Sequence, residues 1–310
     1  MRIYYTDHFE LPLPAGHRFP MDKYRQLRQR VVSSDAHLED ALIVPPAASN
    51  AQLQLCHSER YVRAVVEGRL SESEIRRIGF PWSERMVERS RRSTGATIAA
   101  CRAALQDGVA VNLAGGTHHA MRDAGEGYCV FNDAAVAIRT LQHERRIKRA
   151  CVIDLDVHQG NGTAEILGDD PSVFTLSMHG VKNFPLRKFP SDLDIDLDDG
   201  TDDVGFLSSL SDSLAQVALS GPYDLAILLA GADPYQHDRL GRLSLSKEGL
   251  ARRDEMVLQW CGERGIPLAI AMAGGYAPEI SDIVDIHATT VRLASRHGQN
   301  RENKLESVRN

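Results

Sequence analysis

The chain has 310 residues, 43% of them hydrophobic and 25% charged, with a formal net charge of −6. Such values suit a globular protein with a large core, and the acidic balance gives no footing for nucleic acid or a basic membrane-binding surface. No apolar stretch approaches the roughly 20 residues that span a bilayer.

The opening Met1-Arg2-Ile3-Tyr4-Tyr5-Thr6-Asp7-His8 is too short and too polar for a signal peptide. In chain order, the apolar pattern then predicts a strand over 2–6 and helices over 23–32, 59–67 and 83–106. Ser83 reads as the N-cap of the longest helix and Gly108 as its terminator. Pro45-Pro46-Ala47-Ala48-Ser49 reads as a loop. A strand over 109–114, a helix over 132–145, a strand over 150–156 and a short helix over 164–167 follow. Strands over 173–178 and 193–197, a helix over 204–219, a strand over 224–230, a helix over 247–263, a strand over 267–273 and a helix over 282–294 complete the series. Leu225-Ala226-Ile227-Leu228-Leu229 is apolar on both faces, the mark of a parallel strand covered by helices on each side. Alternating strand and helix predict an α/β fold with a doubly wound, mostly parallel sheet whose ligands bind at the carboxyl ends of the strands. We find no linker or repeat, so one domain over 1–297 is expected, with a frayed polar tail over 298–310. The five cysteines, Cys56, Cys101, Cys129, Cys151 and Cys261, are widely spaced and form no CxxC pair. Neither a disulfide framework nor a thiolate zinc site is expected, and a reducing cytoplasm is the natural setting.

Four predicted strands end in unusual chemistry. Positions 109–114 run into Gly115-Gly116-Thr117-His118-His119, and 150–156 into His158 and the turn Gln159-Gly160-Asn161-Gly162. Positions 224–230 run into Gly231-Ala232-Asp233, and 267–273 into Gly274-Gly275-Tyr276. Side chains alternate along a strand, so Asp154, Asp156 and His158 are expected on one face. Asp156, His158 and Asp233 would hold one divalent metal with a position left open, the arrangement of a catalytic zinc site. His118 and His119 suit general acid–base work, and Tyr276 suits donation to a developing oxyanion. Glycines at 274 and 275 let backbone approach a substrate closely.

With these motifs in this order, the chain resembles the histone deacetylase family within the arginase–deacetylase superfamily, from about Tyr4 to about Ala288. Gln159-Gly160-Asn161-Gly162 and Gly16-His17-Arg18-Phe19-Pro20 are most similar to class IV and its bacterial relatives. The resemblance implies zinc at Asp156, His158 and Asp233, His119 as the general base and acid, and Tyr276 as the catalytic tyrosine. It implies that Asp154 backs His118 and, with Ser177 and the backbone of Met178, holds a structural potassium ion. Gly127, Tyr128 and Phe184, with Gly274 and Gly275, are implied to line a tunnel for acylated lysine. Asn161 stands behind His119 where several branches carry Asp, so that imidazole is expected to be less basic.

The implied function is zinc-dependent removal of an acyl group from the ε-amine of lysine in peptides or proteins. Hydrolysis of acetylated polyamines would use the same residues, and a non-catalytic acyl-lysine reader would have lost a ligand, a histidine or Tyr276. A binuclear arginase-type site would need further carboxylates where Gly160 and Tyr235 stand. His17, His57, His179 and His237 read as hydrogen-bonding or surface histidines, and Asp194, Asp196, Asp198 and Asp199 as a solvated strand edge and turn. The oligomeric state is not legible in the sequence.

Overall fold

The computed structural model describes residues 1–9 and 11–309, with side chains described except at residue 36 and from residue 300 onward. All seven predicted strands form: β1 (Arg2–Tyr4), β3 (Val109–Asn112), β4 (Ala150–Asp154), β5 (Val173–Gly180), β6 (Leu193–Leu197), β7 (Leu225–Leu229) and β8 (Leu268–Ala271). An unforeseen strand, β2 (Leu42–Ile43), pairs with β1. It has two residues, too few to show a period. The sheet order is β2-β1-β3-β8-β7-β4-β5-β6, and every pairing is parallel.

The helices are α1 (Lys23–Ser34), α2 (Asn50–Leu53), α3 (Glu59–Val66), α4 (Glu72–Ile78), α5 (Glu84–Asp107), α6 (Asp133–His143), α7 (Asn161–Leu167), α8 (Asp203–Leu219), α9 (Lys247–Arg264) and α10 (Ile280–Arg309). As expected, Ser83 accepts from Met86 N to start α5, and Gly108, at φ 84°, ends it. Helices α2 and α4 were not anticipated, although Ser49 with Gln52 and Ser71 with Glu74 spell capping boxes that both form. Helix α10 continues past Gly298, so the expected tail begins inside a helix; Asn310 and the side chains from 300 onward lie outside the described residues.

Alternation along the strands sorts the core into two layers. Val152, Ile227, Leu229 and Ala269 face one layer, packed with Ala96, Ala100 and Ala104 of α5 and Ala134 and Ile138 of α6. Cys151, Ile153, Leu228 and Ile270 face the other, with Leu27 of α1, Phe206 and Leu210 of α8, Leu250 of α9 and Val291 of α10. Each large apolar side chain buried here contributes roughly 1.5–3 kcal/mol. Both faces of β7 are therefore covered, which is why its sequence is apolar throughout. Among the described residues no helix is long and apolar enough to cross a membrane.

Candidate active site

The four strands expected to carry chemistry, β3, β8, β7 and β4, are consecutive neighbours in the sheet. Their C-terminal ends deliver their loops to one place.

Asp156 and His158 follow β4, and Asp233 follows β7. One ligand atom from each lies within 4.8 Å of the others, and all three residues are buried. His158 Nδ1 is 2.9 Å from Asp156 Oδ1 and 3.4 Å from Asp233 Oδ2. The expectation that Asp156 and His158 share a strand face needs correcting, because β4 ends at Asp154. A turn gathers them instead: His158 N donates to Asp156 Oδ1 at 3.0 Å. Val157 N donates to Asp233 Oδ1 at 3.0 Å, and Gly274 N to Asp156 Oδ2 at 2.8 Å. Backbone amides thus pin both carboxylates, while Asp233 Oδ2 is buried with no hydrogen-bond partner. An orphaned buried carboxylate oxygen is costly, and a cation among these three groups supplies what it lacks. Two carboxylates and one imidazole form a donor set that fits zinc. The electrostatics agree. Burial opposes a charged His158, but the hydrogen bond to Asp156 and the close negative charges of Asp233 and Asp156 push it up to about 10. Burial and the Asp156 charge push Asp233 up to about 6.

The tandem histidines differ in their support. His118 Nδ1 is 2.6 Å from Asp154 Oδ2, and His119 Nδ1 is 2.7 Å from Asn161 Oδ1. Burial would lower His118, but the charges of Asp154 and Asp156 push it up to about 9. Burial, then the charges of His118 and His158, hold His119 well below the usual range. Asn161 can orient this ring but adds no charge to offset its burial. The two rings are thus pushed in opposite directions by their different partners.

Tyr276 projects from the loop after β8, its ring centroid 6.3 Å from that of His158. Asp238 Oδ2 accepts from Tyr276 N at 2.6 Å, and Lys23 Nζ donates to the carbonyls of Ala273 and Gly275 at 3.5 and 3.3 Å. Burial and the nearby carboxylates of Asp233 and Asp156 hold the phenol well above its usual range, so it stays a donor.

Phe184 stands edge-on to His119 with centroids 4.8 Å apart, and Gly127 lies between those two rings, where a Cβ would meet His119 at 2.7 Å and Phe184 at 3.2 Å. His119, Gly127, Tyr128, His158 and Tyr276 line both a buried cavity of about 40 Å³ and an outer vestibule of about 530 Å³. Those five residues form the neck between the two spaces. Gly274 lies beside the carboxylates and Gly275 takes φ 148° next to Tyr276. Asp154 and Ser177 are register partners on β4 and β5, and Met178 is buried beside them. Ser177 Oγ lies 3.0 Å from His179 Nδ1 and accepts from Gly160 N at 3.4 Å.

His17, His57 and His179 are each hydrogen-bonded, and none joins the metal-ligand group. Asp194 and Asp196 sit on the edge strand β6, and Asp199 pairs with Lys182 and Arg242. Sequence reasoning missed three supports. Asp133 is fully buried and accepts from Gly116 N, Thr117 N and Thr97 Oγ1, which fixes the loop carrying His118 and His119. Asp238 holds the Tyr276 loop. Arg253 is fully buried, donates to the carbonyls of Leu155 and Gly231, and pairs with Asp254. The signal for Asp133, and for Arg253 with its neighbour Asp254, is charge on a helix among apolar residues.

The histone deacetylase domain matches residues 17–291. An uncharacterized protein of Picosynechococcus is 42% identical, covering 94% of this chain and 97% of that one. Histone deacetylase 2 of Arabidopsis thaliana is 31% identical over 91% of this chain and 74% of its own. Among solved structures, a histone deacetylase homologue from Aquifex aeolicus superposes with a TM-score of 0.81 at 26% identity, covering 95% of this chain and 84% of that one. A homologue complexed with SAHA gives 0.82 at 25% identity, with the same coverage. The chain belongs to the histone deacetylase family.

Proposed function

We propose that this protein is a zinc-dependent hydrolase that removes acyl groups, acetyl or longer, from the ε-amine of lysine in peptides or proteins, and that it stands nearest the class IV branch. The observation that carries the reading is the convergence of Asp156, His158 and Asp233 within 4.8 Å, beside a buried His119 whose Nδ1 lies 2.7 Å from Asn161 Oδ1. A divalent metal held by those three residues would polarise the amide carbonyl and acidify the attacking water. His119, with Nδ1 turned to Asn161, presents its other nitrogen as the base that takes the proton from water. The Tyr276 hydroxyl donates to the carbonyl oxygen as it gains charge. His119 then returns the proton to the amine nitrogen as the C–N bond breaks, leaving a carboxylic acid and free lysine. Gly127, Tyr128 and Phe184 would line the channel for the lysine stem, with Gly274 and Gly275 giving backbone closeness at its end. A potassium ion beside Asp154, Ser177 and Met178 belongs to the same reading, supported by the register that sets Asp154 and Ser177 on adjacent strands. A reducing cytoplasm is supported by five buried free thiols.

The test is hydrolysis of one lysine peptide carrying acetyl, butyryl, octanoyl or myristoyl, beside acetylated putrescine and spermidine, with zinc-loaded protein and a chelator control. Chelator-sensitive release from the peptides is expected, and the best substrate reports the depth of the channel. Release from the polyamines alone would move the function to small amines, and release from nothing would make the protein an acyl-lysine reader.

A further inference from the structure

The vestibule has a sign opposite to the rest of the molecule. Arg76, Arg77, Lys182 and Arg242 line it, and Glu126 is the one carboxylate among its lining residues, in a chain of net charge −6. These cations are incompletely matched. Arg76 reaches Glu72 at 3.3 Å, where both side chains are well exposed. Lys182 and Arg242 converge on a single oxygen of Asp199, at 3.3 and 3.1 Å, so one carboxylate serves two cations. The exposed side chain of Arg77 makes no hydrogen bond or ion pair among the described residues.

The backbone fixes these charges to the tunnel. Gly127 N donates to Arg77 O at 3.1 Å and Tyr128 N to Ile78 O at 2.7 Å, which anchors the end of α4 to the tunnel wall. Arg242 N donates to Asn183 Oδ1 at 3.2 Å, and Asn183 Nδ2 to Leu240 O at 2.7 Å, which ties the Arg242 loop to the segment bearing Lys182 and Phe184. These contacts fix the segments that bear the cations beside the neck that receives the acyl-amine.

We propose that this rim is a carboxylate-binding subsite, and that the enzyme selects acyl-lysine with an anionic group close to it. The proposal rests on the lysine-deacylase reading above. That anion is an acidic side chain flanking the lysine in a peptide, or the α-carboxylate of free acyl-lysine. The same rim repels the distal ammonium groups of acetylated polyamines. An exposed ion pair is worth a factor of roughly 1.5 to 5, and it fades as salt shortens the reach of charge. A substrate that meets two of the cations should outrun one that offers cations in their place by roughly fivefold or more at low salt.

The experiment measures kcat/KM of the zinc-loaded full chain on acetyl-lysine peptides flanked by Asp, by Gln or by Arg, at low and high salt. Free Nε-acetyl-lysine and its α-amide form a second arm. An order of Asp above Gln above Arg is expected, compressed at high salt and inverted in the R77E/R242E double variant, with the Gln peptide as internal reference. A preference seen only for free acetyl-lysine over its amide assigns the carboxylate to the amino acid itself. Rates that ignore flank charge at both salts, with free acetyl-lysine and its amide cut alike, overturn the proposal and leave the deacylase reading standing. Cleavage of acetylpolyamines with none of any acetyl-lysine substrate overturns both. If the double variant misfolds by circular dichroism, the salt dependence of the wild-type Asp-to-Arg ratio decides the matter alone.

Discussion

The sharpest test of the proposed metal site is a single methyl group at Gly274. A Cβ built there lies 1.8 Å from Asp233 Oδ2 and 2.5 Å from Asp156 Oδ2. Real Cβ contacts essentially never fall below 3.0 Å, so the Asp233 carboxylate would have to retreat by about 1 Å. The oxygen displaced furthest is the one that faces His158 Nδ1. Metal–ligand distances tolerate about 0.2 Å, and loss of an outer supporting partner costs roughly 10–100-fold in affinity. Gly274→Ala moves two ligands at once, so zinc affinity should fall by about 100-fold or more, or about 3 kcal/mol. The backbone at 274 is not left-handed, so alanine adds contact there and no φ strain. Gly265→Ala gives the converse: φ is +64° with nothing within 4 Å of the added carbon, so it should cost stability and leave metal binding alone. Metal content after dialysis and chelator competition for the dissociation constant read the difference. A Gly274→Ala protein that holds zinc with wild-type affinity would refute the ligand assignment.

Three further outcomes are expected. On the proposed mechanism Tyr276→Phe removes one oxyanion donor and should lower kcat by about 10² or more while zinc content stays unchanged; unaltered turnover removes Tyr276 from the mechanism. Arg253→Met should destabilise the fold by about 3–5 kcal/mol in chemical denaturation, because it strands Asp254 as an unpaired buried charge, and a stability loss under about 1 kcal/mol would contradict that pairing. His57 donates to Met121 O through Nδ1, takes a hydrogen bond from Asn132 N at Nε2, and is pushed down by burial to about 4. The unfolded chain protonates His57 near 6.5 and the folded one near 4, so stability is complete above pH 6.5 and is lost as pH falls through that window. Between pH 8 and pH 5 the loss from His57 amounts to about 2 kcal/mol, and a His57→Gln variant should show a pH profile flatter by that amount; parallel profiles would show that His57 does not titrate in this way.

The ends of β3, β4, β7 and β8 were legible because polar and glycine-rich segments interrupt apolar runs at those points, and a buried parallel sheet tolerates such segments only beyond the ends of its strands. What the sequence could not carry was order in space. Nothing in the residues of 109–114 and 267–273 says that β3 pairs with β8, yet that pairing sets His119 near Tyr276. The supports were obscure for a related reason. Asp133, Asp238 and Arg253 act on backbone groups far away in sequence, such as Gly116 N, Tyr276 N and Gly231 O, and such contacts have no local pattern. Helix α4 is different, since its capping box was in plain sight between Ser71 and Glu74.

The site gathers buried carboxylates at one end of the sheet, and repulsion among them must be offset. Backbone amides do much of this: Asp133 takes two, Asp156 accepts from His158 N and Gly274 N, and Asp233 accepts from Val157 N. Each amide is fixed by a turn that the strand ends make necessary, so the carboxylates are oriented before any ligand arrives. That division leaves Asp233 Oδ2 and Asp156 Oδ1 directed at the imidazole of His158, with Asp233 Oδ2 unmet by any donor. A divalent cation would meet all three groups at once. The hydrogen-bond accounting of the loops after β4, β7 and β8 therefore leaves three buried groups that could hold a metal together, with the His119 ring 5.9 Å from that of His158.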